Sequence, residues 1–290
     1  MSGWRIAGLA LAALLTSTAL PVPAQPAPGQ PAPDQRAIDE AMRRGVTMFW
    51  YDRAAWVTTD DLVAKVSADR LRDLGGWVVT PRDDGGYHVD YIGQGEAADR
   101  VIYAADVTGR DVRNAIVHPK GTEPRLTGMA AAMALALVTA RGEMARHADW
   151  RPCTPAMFNT IVLPPGRDGT TSVYFLSAQT DTGRYPFGGH YKVDVAADGR
   201  IVGARGFTNS CITLAKGGKP AALVVTHLLD PQPTEVHVFQ QFALGVPLMV
   251  GIVPGNDLWR VENGRITHVD LGKRAPSKVS ARRPAPSVAG

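Results

Sequence analysis

Residues 185–211 place the tightest constraint on what this sequence can fold into. After Phe187-Gly188-Gly189, the residues Tyr191, Val193 and Val195 alternate with His190, Lys192 and Asp194. A period of two puts one set on a core and the other toward water, which describes a half-buried β-strand. Ala197-Asp198-Gly199 then supplies a turn, because glycine takes positive φ without steric cost and aspartate tolerates turn positions. The apolar pattern resumes at Ile201 and Val202 and reaches Phe207 just before Ser210-Cys211. A hairpin that ends at a cysteine commits the second half of the chain to β-structure. Gly188-Gly189 reads as a bulge or a close backbone contact. An anion nest at that pair would need a following helix, and a strand follows instead.

The amino-terminal end reads as an export signal. Arg5 precedes an apolar run from Ile6 to Leu15, and Val22-Pro23-Ala24 offers the small residues that a signal peptidase reads. The run is too short to span a bilayer, and no cysteine follows it to carry a lipid. Residues 1–24 are therefore expected to be a signal peptide and 25–34 a Pro-rich spacer. The expected location is periplasmic or secreted. In such a compartment Cys153 and Cys211, the chain's 2 cysteines, are expected to form a disulfide. A catalytic thiol would require one of them to be free.

Charge points to the far end. Lys and Arg number 31 against 27 acids, a formal net charge of +4. Arg5 lies in the expected leader, and Lys273, Arg274, Lys278, Arg282 and Arg283 lie in residues 272–290, which hold no acid. The remaining body carries 25 bases against 27 acids, or −2. The basicity thus belongs to a tail rich in Pro, Ala and Ser, expected to be disordered and able to make weak contact with an anionic surface. No nucleic-acid signature is present. No stretch after the leader is long and apolar enough for a transmembrane span.

Between these ends the pattern predicts an α+β protein, predominantly antiparallel sheet with two packing helical segments. Asp34 is a suitable N-cap for a helix starting at Gln35. Ile38, Met42, Phe49 and Trp56 are expected on its buried face, and Thr58 or Thr59 is expected to cap a short second helix. Asp52, Asp60 and Asp61 could serve acid–base chemistry, but capping and first-turn roles explain Asp60 and Asp61 more simply. Four strands follow, at 77–80, 87–92, 101–105 and 112–117, separated by Asp83-Asp84-Gly85-Gly86 and Thr108-Gly109-Arg110-Asp111, as in a meander. Leu126, Met129, Met133, Leu137, Ala140 and Met144 recur at helical spacing and predict a core helix over 125–147. Residues 35–150 form one expected unit and 151–271 a β-rich body. Its strands are expected near 158–163, 171–177, 189–195, 201–208, 222–229, 235–243, 247–253 and 258–261. Helix-then-meander followed by helix-then-β suggests two related layers.

One constellation carries possible chemistry. If 222–229 and 235–243 pair as a hairpin centred on Gln232, His227 and His237 become cross-strand neighbours about 5 Å apart at Cβ. His190, from the neighbouring hairpin, would supply a third nitrogen. Three histidines and a water make a catalytic zinc site, with Asp194 or Glu235 as base or supporting partner. No metalloprotease spacing is present, and a one-residue slip would part the two histidines. No nucleophile elbow occurs, and Ser210 has no identified base.

Tyr51-Asp-Arg-Ala-Ala-Trp56 with Thr59-Asp60, Phe187-Gly-Gly-His-Tyr191, Ser210-Cys211 and Pro233-Thr-Glu-Val-His-Val-Phe239 together resemble an uncharacterised family of exported proteobacterial proteins. The likeness covers most of the chain after the leader. It implies export and a shared fold, and it implies no activity. The expectation is a binding or structural module for an unknown ligand or envelope partner, without a cofactor. The alternative is a zinc-dependent envelope hydrolase using His190, His227 and His237.

Overall fold

The computed structural model describes residues 33–270 apart from positions 216, 219, 254 and 256. The expected leader, most of the spacer and the basic tail lie outside the described residues.

Helix α1 (Gln35–Lys65) begins where Asp34 accepts a hydrogen bond from the Arg36 N–H. It runs unbroken through Thr58 and Thr59, so the short second helix expected there does not form. The two hydroxyls bond back to the Ala54 and Ala55 carbonyls instead of capping, a local competition open to threonine in mid-helix. The buried stripe is Ile38, Ala41, Gly45, Met48, Tyr51, Ala55 and Leu62. Trp56, expected on the buried face, is 52% exposed, and the neighbouring Trp50 is 44% exposed. Small residues on the stripe let other elements approach closely, and the two tryptophans lie outside it.

After a short turn of helix α2 (Ala68–Leu71), strands β1 (Leu74–Pro81), β2 (Tyr87–Gly93), β3 (Val101–Thr108) and β4 (Asp111–Val117) form an antiparallel meander in that order. Helix α3 (Gly128–Met144) follows. Strands β5 (Phe158–Val162) and β6 (Thr171–Ser177) come next, and after the short β7 (Arg184–Pro186) come β8 (Tyr191–Val195) and β9 (Ile201–Gly206). A second antiparallel sheet has the order β5-β6-β8-β9. A helix followed by a four-stranded antiparallel sheet thus occurs twice, as the pattern suggested, with β7 set aside from the second sheet.

The chain closes with β10 (Thr213–Ala215) against β7, then β11 (Leu223–His227), helix α4 (Glu235–Leu244), β12 (Leu248–Ile252), β13 (Leu258–Glu262) and β14 (Arg265–Val269). β11 and β12 pair in parallel, with α4 as their crossover. A helix here corrects the strand expected over 235–243. Val236, His237, Val238, Phe239, Gln240 and Gln241 are all buried, so the segment has no polar face to betray a helical period. β14 follows Asn263-Gly264, both at positive φ, as a two-residue hairpin turn requires.

One core cluster joins Met48, Tyr51 and Leu62 of α1 to Val89 and Tyr103 of the first sheet. The same cluster takes in Met133 and Leu137 of α3 and Val173, Phe175 and Val193 of the second sheet. It runs across the expected boundary between 150 and 151, so the two sheets share a single interior. A smaller cluster lies beneath the third sheet, around Ile38, Val238, Leu248 and Val250.

Candidate ligand-binding cleft

A cavity of about 970 Å³ opens between the C-terminal part of α1, the start of β1, the end of α3 and the segment leading into β5. Its walls are largely apolar: Leu62 and Val63 from α1, Leu74 from β1, Met144 from α3, and Phe158 and Phe175 from the second sheet. The volume lies within the range of small-molecule sites, which are concave and apolar with few polar groups. The Tyr91 phenol reaches this wall but is already committed, donating to the Ala55 carbonyl at 2.6 Å and lying 2.7 Å from the Thr59 hydroxyl.

Arg141 is the charged residue in this lining. It stands exposed at the rim, and its guanidinium donates to the Gly75 carbonyl. The backbone beneath it is shaped by two glycines. β1 bulges between Leu74 and Gly76. A Cβ on Gly75 would lie 2.2 Å from the Gly93 carbonyl oxygen, and one on Gly76, at φ +138°, would lie 2.7 Å from Arg141 Nη2.

The opposite lip is the segment 152–157. Cys153 within it is bonded to Cys211, with Cα atoms 5.3 Å apart. The Cys153 N–H also donates to Ser177 Oγ at 2.8 Å. Gly188 and Gly189 lie beneath this junction. A Cβ on Gly188 would lie 2.2 Å from the Ser210 carbonyl oxygen, and one on Gly189 would lie 2.7 Å from the Arg151 carbonyl oxygen. The glycine pair is therefore the close backbone contact that the sequence suggested. On the α3 side, Trp150 stacks between His147 and Tyr191, with centroids 4.1 and 4.5 Å away.

A second hollow of about 680 Å³ shares Thr59, Trp77, Met157 and Phe158 with the first. Trp56 lines it with Arg53 over its ring, 4.3 Å from the centroid. Asp52 also lines it, accepting from Asn159 Nδ2 at 2.5 Å. Burial pushes the Asp52 carboxyl up from its ordinary value, against the Asn159 hydrogen bond. Asp61, named with Asp52 and Asp60 in the sequence, instead accepts from Tyr103 at 2.5 Å and pairs with Lys65.

The three histidines gather elsewhere, beside α4. His190 is fully buried; its Nδ1 accepts the Ser177 N–H at 3.2 Å and its Nε2 donates to the Pro186 carbonyl at 3.0 Å. Burial pushes it down to about 4 against that second hydrogen bond, so the ring is neutral. His237 is not a cross-strand partner of His227, because it sits in the first turn of α4. Its Nδ1 accepts the Thr234 N–H at 3.0 Å in a capping box. His227, at the end of β11, packs edge-on against it, with ring centroids 4.7 Å apart. Its Nε2 lies 2.8 Å from Asp230. Each ring thus uses at least one nitrogen in holding the fold. Among the described residues no three His, Cys, Asp or Glu side chains form a group that could hold a metal ion. Asp194 accepts from Ser172 at 2.6 Å and pairs with Lys192, and Glu235 accepts from Tyr174 at 2.8 Å.

Among the described residues no helix is long and apolar enough to cross a membrane. No family model, curated protein or solved structure matches the chain.

Proposed function

We propose that this chain is an exported binding module that takes an elongated apolar ligand in the cleft between α1, β1, α3 and the 152–157 lip. The observation that carries the proposal is the apolar lining of an open cavity of about 970 Å³. Apolar surface left in contact with water is costly at roughly 25 cal/mol per Å², and large exposed patches mark interaction sites. Met157 and Val63 extend that surface to the rim, where they are 88% and 56% exposed. Export is supported by the leader-like residues 1–24 and by the bonded cysteine pair, which suits an oxidising compartment. The resemblance to exported proteobacterial proteins agrees with it.

The test is titration with N-phenyl-1-naphthylamine, a neutral dye that fluoresces in apolar sites. Saturable binding is expected in the wild type. Val63→Trp fills the rim from an exposed position and should weaken binding without changing the unfolding midpoint. Undiminished dye binding in that variant would place the dye elsewhere and overturn the proposal.

A further inference from the structure

We infer that the cleft's ligand is an acyl carboxylate, whose head group pairs with Arg141 at the rim while its chain lies along the apolar wall. This inference rests on the cleft being the binding site.

Arg141 brings a positive charge into a lining that is otherwise uncharged. Among the described residues no carboxylate forms an ion pair with it, and the bond it makes is to a backbone carbonyl, that of Gly75. A guanidinium has five N–H donors in a planar fork that matches a carboxylate with two parallel hydrogen bonds. The fork's surroundings are shaped for approach. Gly76 lacks the Cβ that would otherwise lie 2.7 Å from Nη2, so the guanidinium can lie close against the backbone of β1. The remaining lining is apolar or neutral and includes Leu71, Leu74, Met144 and Gln94. A ligand matching this surface has one negative charge at one end and hydrocarbon beyond it. A cationic head would find no counter-charge and a doubly charged anion only one, since no acid and no second base lines the cleft.

Displacement of bound N-phenyl-1-naphthylamine from the full chain tests this with four ligands of one tail length: dodecanoate, dodecanol, dodecyl phosphate and dodecyltrimethylammonium. Dodecanoate should compete about tenfold better than dodecanol, the scale of a charge-assisted hydrogen bond reduced by solvent at an exposed site. Arg141→Gln should erase that preference, bringing dodecanoate to the level of dodecanol, and Arg141→Lys should retain part of it. The unfolding midpoint of each variant is measured alongside. Equal competition by dodecanoate and dodecanol in the wild type would overturn the inference and leave the apolar cleft standing. A preference that survives in Arg141→Gln would overturn it as well. Stronger competition by dodecyl phosphate than by dodecanoate would replace the carboxylate with a phosphate head. Failure of all four ligands to displace the dye would remove the cleft reading itself.

Discussion

Gly45 of α1 lies so close to Val238 of α4 that a Cβ placed on it would sit 2.4 Å from the valine Cβ and 2.6 Å from the Glu235 carbonyl oxygen. This is where the two helices meet. Alanine would raise intrinsic helix propensity by about 1 kcal/mol, but crowding a packed contact costs about 1–3 kcal/mol and more where backbone is struck. Gly45→Ala should therefore lower stability by about 1–2 kcal/mol in urea unfolding. A gain in stability would show that the helices part easily.

His88 should titrate late. Hydrogen bonds and charge from Asp90 and Asp106 raise it to about 9, outweighing its partial burial. A histidine raised from about 6.5 stabilises the fold fully below that value, and the contribution is lost as pH rises through about 9. NMR titration of the His88 ring should give a midpoint near 9, and Asp106→Asn should lower it. A midpoint near the ordinary value in the wild type would contradict the arrangement.

Asp230 should act at the acid end. Burial alone would raise its carboxyl, but hydrogen bonds from His227 and from the two Nη atoms of Arg205, at 2.8 and 2.6 Å, hold it well below the usual carboxylate range. A depressed carboxylate stabilises above its unfolded value of about 3.9, and that contribution is lost as pH falls further. Asp230→Asn should cost about 1–3 kcal/mol at neutral pH and flatten the acid limb of the stability curve. An unchanged acid limb would assign the pH dependence to other groups.

The disulfide closes a sequence separation of 58 residues, which in the chain-entropy model stabilises by about 4 kcal/mol. Paired Cys153→Ser and Cys211→Ser should lose stability on that scale. Because Cys153 also anchors the lip of the cleft, the double variant should bind N-phenyl-1-naphthylamine more weakly at temperatures where it is still folded. Wild-type dye affinity in the folded double variant would separate the lip from binding.

The histidines should prove to be parts of the fold. His190→Ala removes two buried hydrogen bonds and leaves a cavity, at a cost of about 2–4 kcal/mol. Neither EDTA nor added zinc should move the wild-type unfolding midpoint. A zinc-dependent rise that disappears in both His227→Ala and His237→Ala would restore the three-histidine metal site.

Elements with a strong local signature were legible in the sequence. Asp34 caps α1, the four strands of the meander fall within a few residues of their expected places, and β6 occupies Thr171–Ser177 as the pattern predicts. These segments either carry turn chemistry at their ends or alternate against one wet face. Two segments misled. Thr58-Thr59-Asp60-Asp61 has the composition of a helix start, but its hydroxyls find the Ala54 and Ala55 carbonyls and the Tyr91 phenol. Val236-His237-Val238 alternates like a strand, but burial on every side removes the polar stripe that would mark its helical period. Thr234 before it and Gly245 after it, at φ +64°, were the local signals of a helix.

By itself the sequence determined the class of the fold, the antiparallel hairpins and the pairing of its two cysteines. These follow from short-range periodicity, turn residues and the small number of cysteines. Only the tertiary structure decided the site. Arg141, the Gly75-Gly76 bulge, the end of α1 and the disulfide-held lip come from four separate stretches, and no spacing along the chain encodes their meeting. They are brought together by the shared core of two sheets, where burial of apolar side chains acts between segments far apart in sequence.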